Sequence, residues 1–136
     1  MNNAEQFKQL MRRCYAARAA GDLEGTMAAF ADDASFELNA GAVGVPGMGE
    51  RISGKVALRE MMKELIANFR FSDWTEVSFV ADGNRGALHW RANVTFTSNG
   101  RSAPFDIIDI LSFRDGKIAG MLQTTDSAKI KLMLAS

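Results

Sequence analysis

The sequence predicts an α+β domain, because its hydrophobic period changes once along the chain, from helical to strand-like. As far as Phe69 the apolar residues recur mainly at three- and four-residue spacing. From Phe71 onward they alternate, with turn signals at Asp82-Gly83, Asn99-Gly100 and Asp115-Gly116. Helices first and a run of antiparallel strands last is the α+β pattern. The 136 residues, 47% hydrophobic and 24% charged, suit one domain spanning residues 1–136. A chain of this size buries roughly 65–70% of its unfolded surface, enough to fold without disulfide or metal. The lone Cys14 cannot form an internal bridge.

Phe7, Leu10, Met11, Cys14 and Tyr15 share one face of a first helix that follows Asn2 and Asn3 and stops at Gly21. Asp22 is placed to cap a short second helix carrying Leu23, Met27 and Phe30, and Ala34 to Asn39 reads as a strand. Residues 40–54, rich in glycine and containing Pro46, read as a loop. They lack the Gly-Lys-Ser/Thr ending of a phosphate loop, so flexibility or a pocket lid is their expected use. Leu58, Met61, Met62, Leu65, Ile66 and Phe69 mark a third helix, with the strongest helical pattern in the chain.

Four antiparallel strands are expected after it. In one of them Leu88, Trp90, Ala92, Val94 and Phe96 face one way, and His89, Arg91, Asn93, Thr95 and Thr97 the other. A two-residue turn at Asn99-Gly100 pairs Ser98 with Arg101. It then places Phe96 opposite Ala103, Val94 opposite Phe105, Ala92 opposite Ile107 and Trp90 opposite Asp109. Asp109 thereby falls in an apolar register. Asp115-Gly116 closes either a two-residue or a three-residue loop. The three-residue form, the preferred one, pairs Phe113 with Lys117 and turns Met121, Gln123 and Thr125 to the face holding Asp109.

Sixteen basic residues balance sixteen acidic ones and no like-charged block occurs, so the electrostatic footprint of a nucleic-acid or anionic-membrane binder is missing. The first residues are polar and no run approaches the ~20 apolar residues of a membrane span, which points to a cytoplasmic protein.

The segments AARAAGDLEGTMAAFADDASFE, SGKVALREMM, APFDIIDILSFRDGKIAGM and QTTDSAKIKLML resemble the ketosteroid isomerase and SnoaL-like superfamily, also called nuclear transport factor two-like. The resemblance covers nearly the whole chain. It implies a cone-shaped, strongly curved antiparallel sheet with three N-terminal helices enclosing a ligand pocket, a cystatin-like α+β roll. Isomerases, polyketide cyclases, epoxide hydrolases, dehydratases and non-catalytic binders share that roll, so function has to be argued from the site. In ketosteroid isomerases a helix-one Tyr and a neutral Asp on the fourth sheet strand donate to an oxyanion, and an Asp base ends the first strand. By resemblance Asp109 takes the place of the oxyanion Asp, Leu38 that of the base, and Cys14 that of the Tyr, with Tyr15 about 100° further round the helix. Ile107 stands where epoxide-hydrolase relatives carry an Arg. Asp126 is similar in position to an Asp of SnoaL-type cyclases.

Asp109 is the candidate catalytic group, since burial among Ile107, Leu111 and Trp90 raises a carboxyl pKa. Its structural alternative is a hydrogen bond from the Trp90 indole. Asp126 reads first as a helix cap. His89, the only histidine, falls on the outer face opposite Ile110. Cys14 reads as a small buried hydrophobe. One His and one Cys do not make a zinc site, and neither metal nor cofactor is expected. Two functions follow. One is a cofactor-independent isomerase or cyclase acting on an apolar ring compound, with Asp109 as acid or base and Tyr15, Phe36, Trp90, Phe105, Met121 and Gln123 lining the pocket. The other is a non-catalytic ligand-binding or accessory protein, favoured by Leu38 in the base position. Ile108 and Ile110 beside His89 and Arg91 on the outer face predict a homodimer through the sheet, with Asn93 and Asp106 in its margin.

Overall fold

A computed structural model describes residues 2–39, 41–42, 45 and 48–135. Helix α1 (Asn3–Ala20) begins where the Asn2 side chain accepts from the Glu5 amide at 2.9 Å and ends at Gly21, whose φ of 77° suits a residue without a Cβ. Asp22 caps α2 (Leu23–Met27) by accepting from the Gly25 amide. Strand β1 (Phe30–Leu38) starts four residues before the expected Ala34, so Phe30 belongs to the strand and not to the second helix. Within the expected loop, β2 (Arg51–Ser53) pairs antiparallel with β1; three residues are too few to show a period. Helix α3 (Lys55–Asn68) buries Leu58 and Met62, and Phe69 already opens the next strand. Gly44, Pro46 and Gly47 of the expected loop lie outside the described residues.

The meander follows as β3 (Phe69–Asp82), β4 (Arg85–Phe96), β5 (Ser102–Arg114) and β6 (Lys117–Thr124), and α4 (Ser127–Leu134) closes the chain. One six-stranded sheet has the order β2-β1-β6-β5-β4-β3, antiparallel throughout except for the β1–β6 pair. The inner face carries the core, in which Trp90, Phe30, Phe36, Phe96 and Phe113 are almost wholly buried. The Phe7 ring of α1 stacks on Phe113 at 3.9 Å.

Two registers differ from expectation. Between β4 and β5 the loop has four residues, 97–100, with Phe96 accepting from the Gly100 amide at 2.7 Å and donating to the Arg101 carbonyl at 2.8 Å. Trp90 therefore faces Ile107, Leu88 faces Asp109, Val94 faces Ala103, and His89 faces Ile108 rather than Ile110. The slip is two residues, so every side chain keeps its face. Between β5 and β6 the turn is the two-residue form: Arg114 pairs with Lys117, and Asp115 and Gly116 have φ of 52° and 74°. Such a turn alone would put Gln123 on the outer face. An extra residue, Ala119, sits between the Phe113–Ile118 and Ser112–Gly120 pairs and restores the parity, so Gln123 lies directly opposite Asp109.

Candidate functional site

Between the helices and the inner face of the sheet lies a pocket with about 720 Å³ of space, its open mouth included. Phe36, Phe71, Phe96, Phe105, Ile107 and Met121 supply much of an apolar wall, and Ile130 of α4 and Met48 also reach it. Polar groups are few: Tyr15 and Arg18 from α1, Cys14, Thr26, Gln123 and Thr125. No carboxylate, histidine or lysine lines it among the described residues.

Behind this wall sits Asp109. Alternation along β5 sends Phe105, Ile107, Asp109, Leu111 and Phe113 inward together, so the carboxyl is fixed at a core position and is 0% exposed. Three side chains converge on it. The Tyr15 hydroxyl donates to Oδ2 in a short hydrogen bond. The Trp90 indole donates to the same oxygen at 2.9 Å, and the Gln123 amide donates to Oδ1 at 2.9 Å. The same Gln123 Nε2 also donates to the Tyr15 oxygen at 3.0 Å. Tyr15 is held further by the Trp90 ring, centroid to centroid 4.4 Å.

Burial and hydrogen bonding act oppositely on this carboxyl. Loss of water pushes the Asp109 pKa up, the donors from Tyr15, Gln123 and Trp90 pull it down, and burial wins, leaving it at about 6. Burial, the Asp109 charge and the bond to it hold the Tyr15 phenol well above its ordinary value, so it stays protonated. Cys14 is pushed up to about 12 by burial first and by Asp109 second, which makes it an inert packing group with its thiol on the Thr26 carbonyl at 3.8 Å. Burial lowers Arg18 to about 10, still a cation at neutral pH.

The family described as the SnoaL-like domain matches residues 11–121. This chain belongs to the SnoaL-like family. No curated protein sequence matches it. Among solved structures, a Bacillus subtilis protein provisionally named an isomerase is similar with a TM-score of 0.86 at 21% identity, over 98% of this chain and 95% of the other. A Xanthomonas campestris protein provisionally named a polyketide cyclase gives 0.80 at 17% identity, over 98% and 100%. TerC, co-crystallised with polyporic acid, gives 0.81 at 21% identity, over 96% and 99%. At these identities the likeness establishes the fold.

Of the residues singled out from the sequence of this SnoaL-like chain, Tyr15, Phe36, Phe105, Met121 and Gln123 line the pocket. Trp90 does not: it is 0% exposed and stands beside Asp109 behind the wall. The resemblance put Cys14 in the place of the helix-one Tyr, but the side chain that reaches Asp109 is Tyr15. Leu38 lines the pocket. Asp126 is an exposed cap that accepts from the Lys129 amide at 3.0 Å, and His89 meets Asp106 at 2.7 Å on the other side of the sheet. Arg18 escaped the sequence reading. It continues the buried stripe of Cys14 and Tyr15 by four and three residues, and a charged residue within such a stripe was the available signal. Among the described residues no group of three or more His, Cys, Asp or Glu is placed to hold a metal ion, and no helix is long and apolar enough to cross a membrane.

Proposed function

We propose that this SnoaL-like chain is a cofactor-independent enzyme of the isomerase or cyclase kind that relocates a proton on a ring compound held in the apolar pocket. The observation that carries this reading is the hydrogen bond from Tyr15, which faces the pocket, to Asp109, which does not. A proton leaves the ligand through Tyr15: the phenol oxygen takes it while the phenol's own proton passes to the Asp109 carboxylate. Reversing both transfers at a second ligand atom moves a double bond and returns the protein to its starting state. A carboxyl near pH 6 suits this exchange, since a base works best when its pKa lies near the operating pH. Asp109 acts through Tyr15 in this scheme and is a positioning and proton-holding group.

A second reading, a non-catalytic binder, draws on Leu38 and on the lack of any carboxylate, histidine or lysine among the described lining residues. Exchange of the α-hydrogens of 2-tetralone in deuterated water, followed by NMR, separates the two. The enzyme is expected to accelerate exchange above the buffer rate. Binding of 2-tetralone without acceleration would overturn the proton-transfer reading in favour of the binder.

The same reading includes a homodimer formed through the outer sheet face. Val80, Ala87, Ile110 and Leu122 follow one another across four strands in register, with Val80 65% and Ile110 41% exposed. That apolar row is flanked by Asp106 paired to His89 and Arg91. Replacing Ile108 and Ile110 together by Lys is expected to split the dimer, because each lysine would lose hydration without a partner. Light scattering of the unmodified protein giving the 14.8 kDa of one chain would contradict it. The lone buried Cys14 suits a reducing, cytoplasmic setting.

A further inference from the structure

We infer that the pocket receives a ring compound carrying an oxyanion, a carboxylate or an ionised enol, and that Arg18 is the residue that holds it. The inference rests on the reading of this pocket as the ligand site and adds the ligand's charge.

Arg18 is only 6% exposed and lines the pocket. Its Nη2 donates to the carbonyls of Leu65 at 3.0 Å and Phe69 at 2.8 Å, where α3 passes into β3. The guanidinium lies 3.9 Å from the centroid of the Phe71 ring. Those contacts occupy one nitrogen and one face. Nε and Nη1, which carry the other three N–H groups, have no hydrogen-bond partner among the described residues, yet neither is sealed from solvent. No carboxylate pairs with the guanidinium among those residues: the ion pairs all involve other side chains, and Asp109 is engaged by Tyr15, Trp90 and Gln123.

A cation so deeply buried without a counter-charge is costly, and two carbonyls and a ring offset only part of that cost. A role confined to fastening α1 to the end of α3 accounts for Nη2 and leaves Nε and Nη1 without a use. A ligand oxyanion supplies both the missing charge and the missing acceptors, in charge-assisted bonds of the strongest ordinary kind. The position within the helix also fits. Tyr15 and Arg18 are three residues apart on α1 and therefore neighbours on one face, so a single ring can place its reacting edge at Tyr15 and its oxyanion at Arg18.

Calorimetry with 2-naphthoate and 2-naphthamide, two ligands of nearly equal shape and different charge, tests this on the unmodified protein at neutral pH. The carboxylate is expected to bind tighter by about tenfold or more, the worth of one charge-assisted bond. In Arg18→Gln that preference is expected to shrink to about threefold or less, the naphthoate losing more affinity than the naphthamide. A fastening role would instead weaken both ligands alike. Equal affinities in the unmodified protein, or a preference surviving in a folded Arg18→Gln, overturn the inference and leave the pocket reading intact. Binding of neither ligand overturns both. If Arg18→Gln does not fold, the comparison on the unmodified protein decides alone.

Discussion

Asp109→Asn is expected to remove on the order of 3 kcal/mol of pH dependence from the stability of the fold. The folded-state pKa of Asp109 is raised from 3.8 to about 6 because burial outweighs its three donors. A carboxyl raised in this way is held most favourably when protonated. Its stabilising contribution is therefore complete below 3.8 and is lost as pH rises through about 6. Asparagine cannot ionise, so its cost is independent of pH. That cost is one misplaced hydrogen bond, because the amide offers an acceptor to Tyr15 and Trp90 but turns an N–H₂ toward Gln123. Urea denaturation of both proteins at about pH 4.5 and about pH 7.5 reads about 2 kcal/mol of the effect, since the other carboxylates are common to both and cancel. Relative to the unmodified protein the variant should gain stability toward neutral pH. Parallel profiles would mean that Asp109 does not titrate in this window.

Tyr15→Phe is expected to have the largest effect on function. It deletes the hydroxyl that relays protons between the pocket and Asp109, so the acceleration of 2-tetralone exchange should fall by about 100-fold or more, the range for a lost acid–base group. It also removes a donor that pulls the Asp109 pKa down, so the carboxyl should titrate higher than in the unmodified protein. The two readouts are coupled by the same bond. A loss of exchange with no movement of Asp109 would mean that the Tyr15 hydroxyl acts on the ligand without passing its proton to Asp109. The fold should survive, because the ring keeps its contacts with Trp90 and Trp74.

Asp109 was legible in the sequence because facing obeys a two-residue period. An error of two in the β4–β5 register moved each expected partner and left each face unchanged. The Asn-Gly signal misled because Asn99 is used otherwise: its side chain accepts from the Arg101 amide and donates to the Met133 carbonyl, fastening the four-residue loop to α4. Gln123 was placed on the correct face by an incorrect turn, since the bulge at Ala119 compensates for the two-residue form. No local residue type announces such a bulge. The β6 strand is set from outside the hairpin, where the Ile118 amide donates to the Ala29 carbonyl. Tyr15 and Arg18 depended on the rotation of α1 within the fold. The helical stripe placed Tyr15 on the buried face, but only the packing of α1 against α2 and β3 decides which member of that stripe meets Asp109.

The measurement that bears most directly on the proton-transfer pocket is a carbon-detected NMR titration of the Asp109 carboxyl in the unmodified protein. A midpoint near 6, rising in Tyr15→Phe, is the expected result. A carboxyl already ionised below pH 4 would show that its donors outweigh burial, and would leave Asp109 a fixed charge with no proton to exchange.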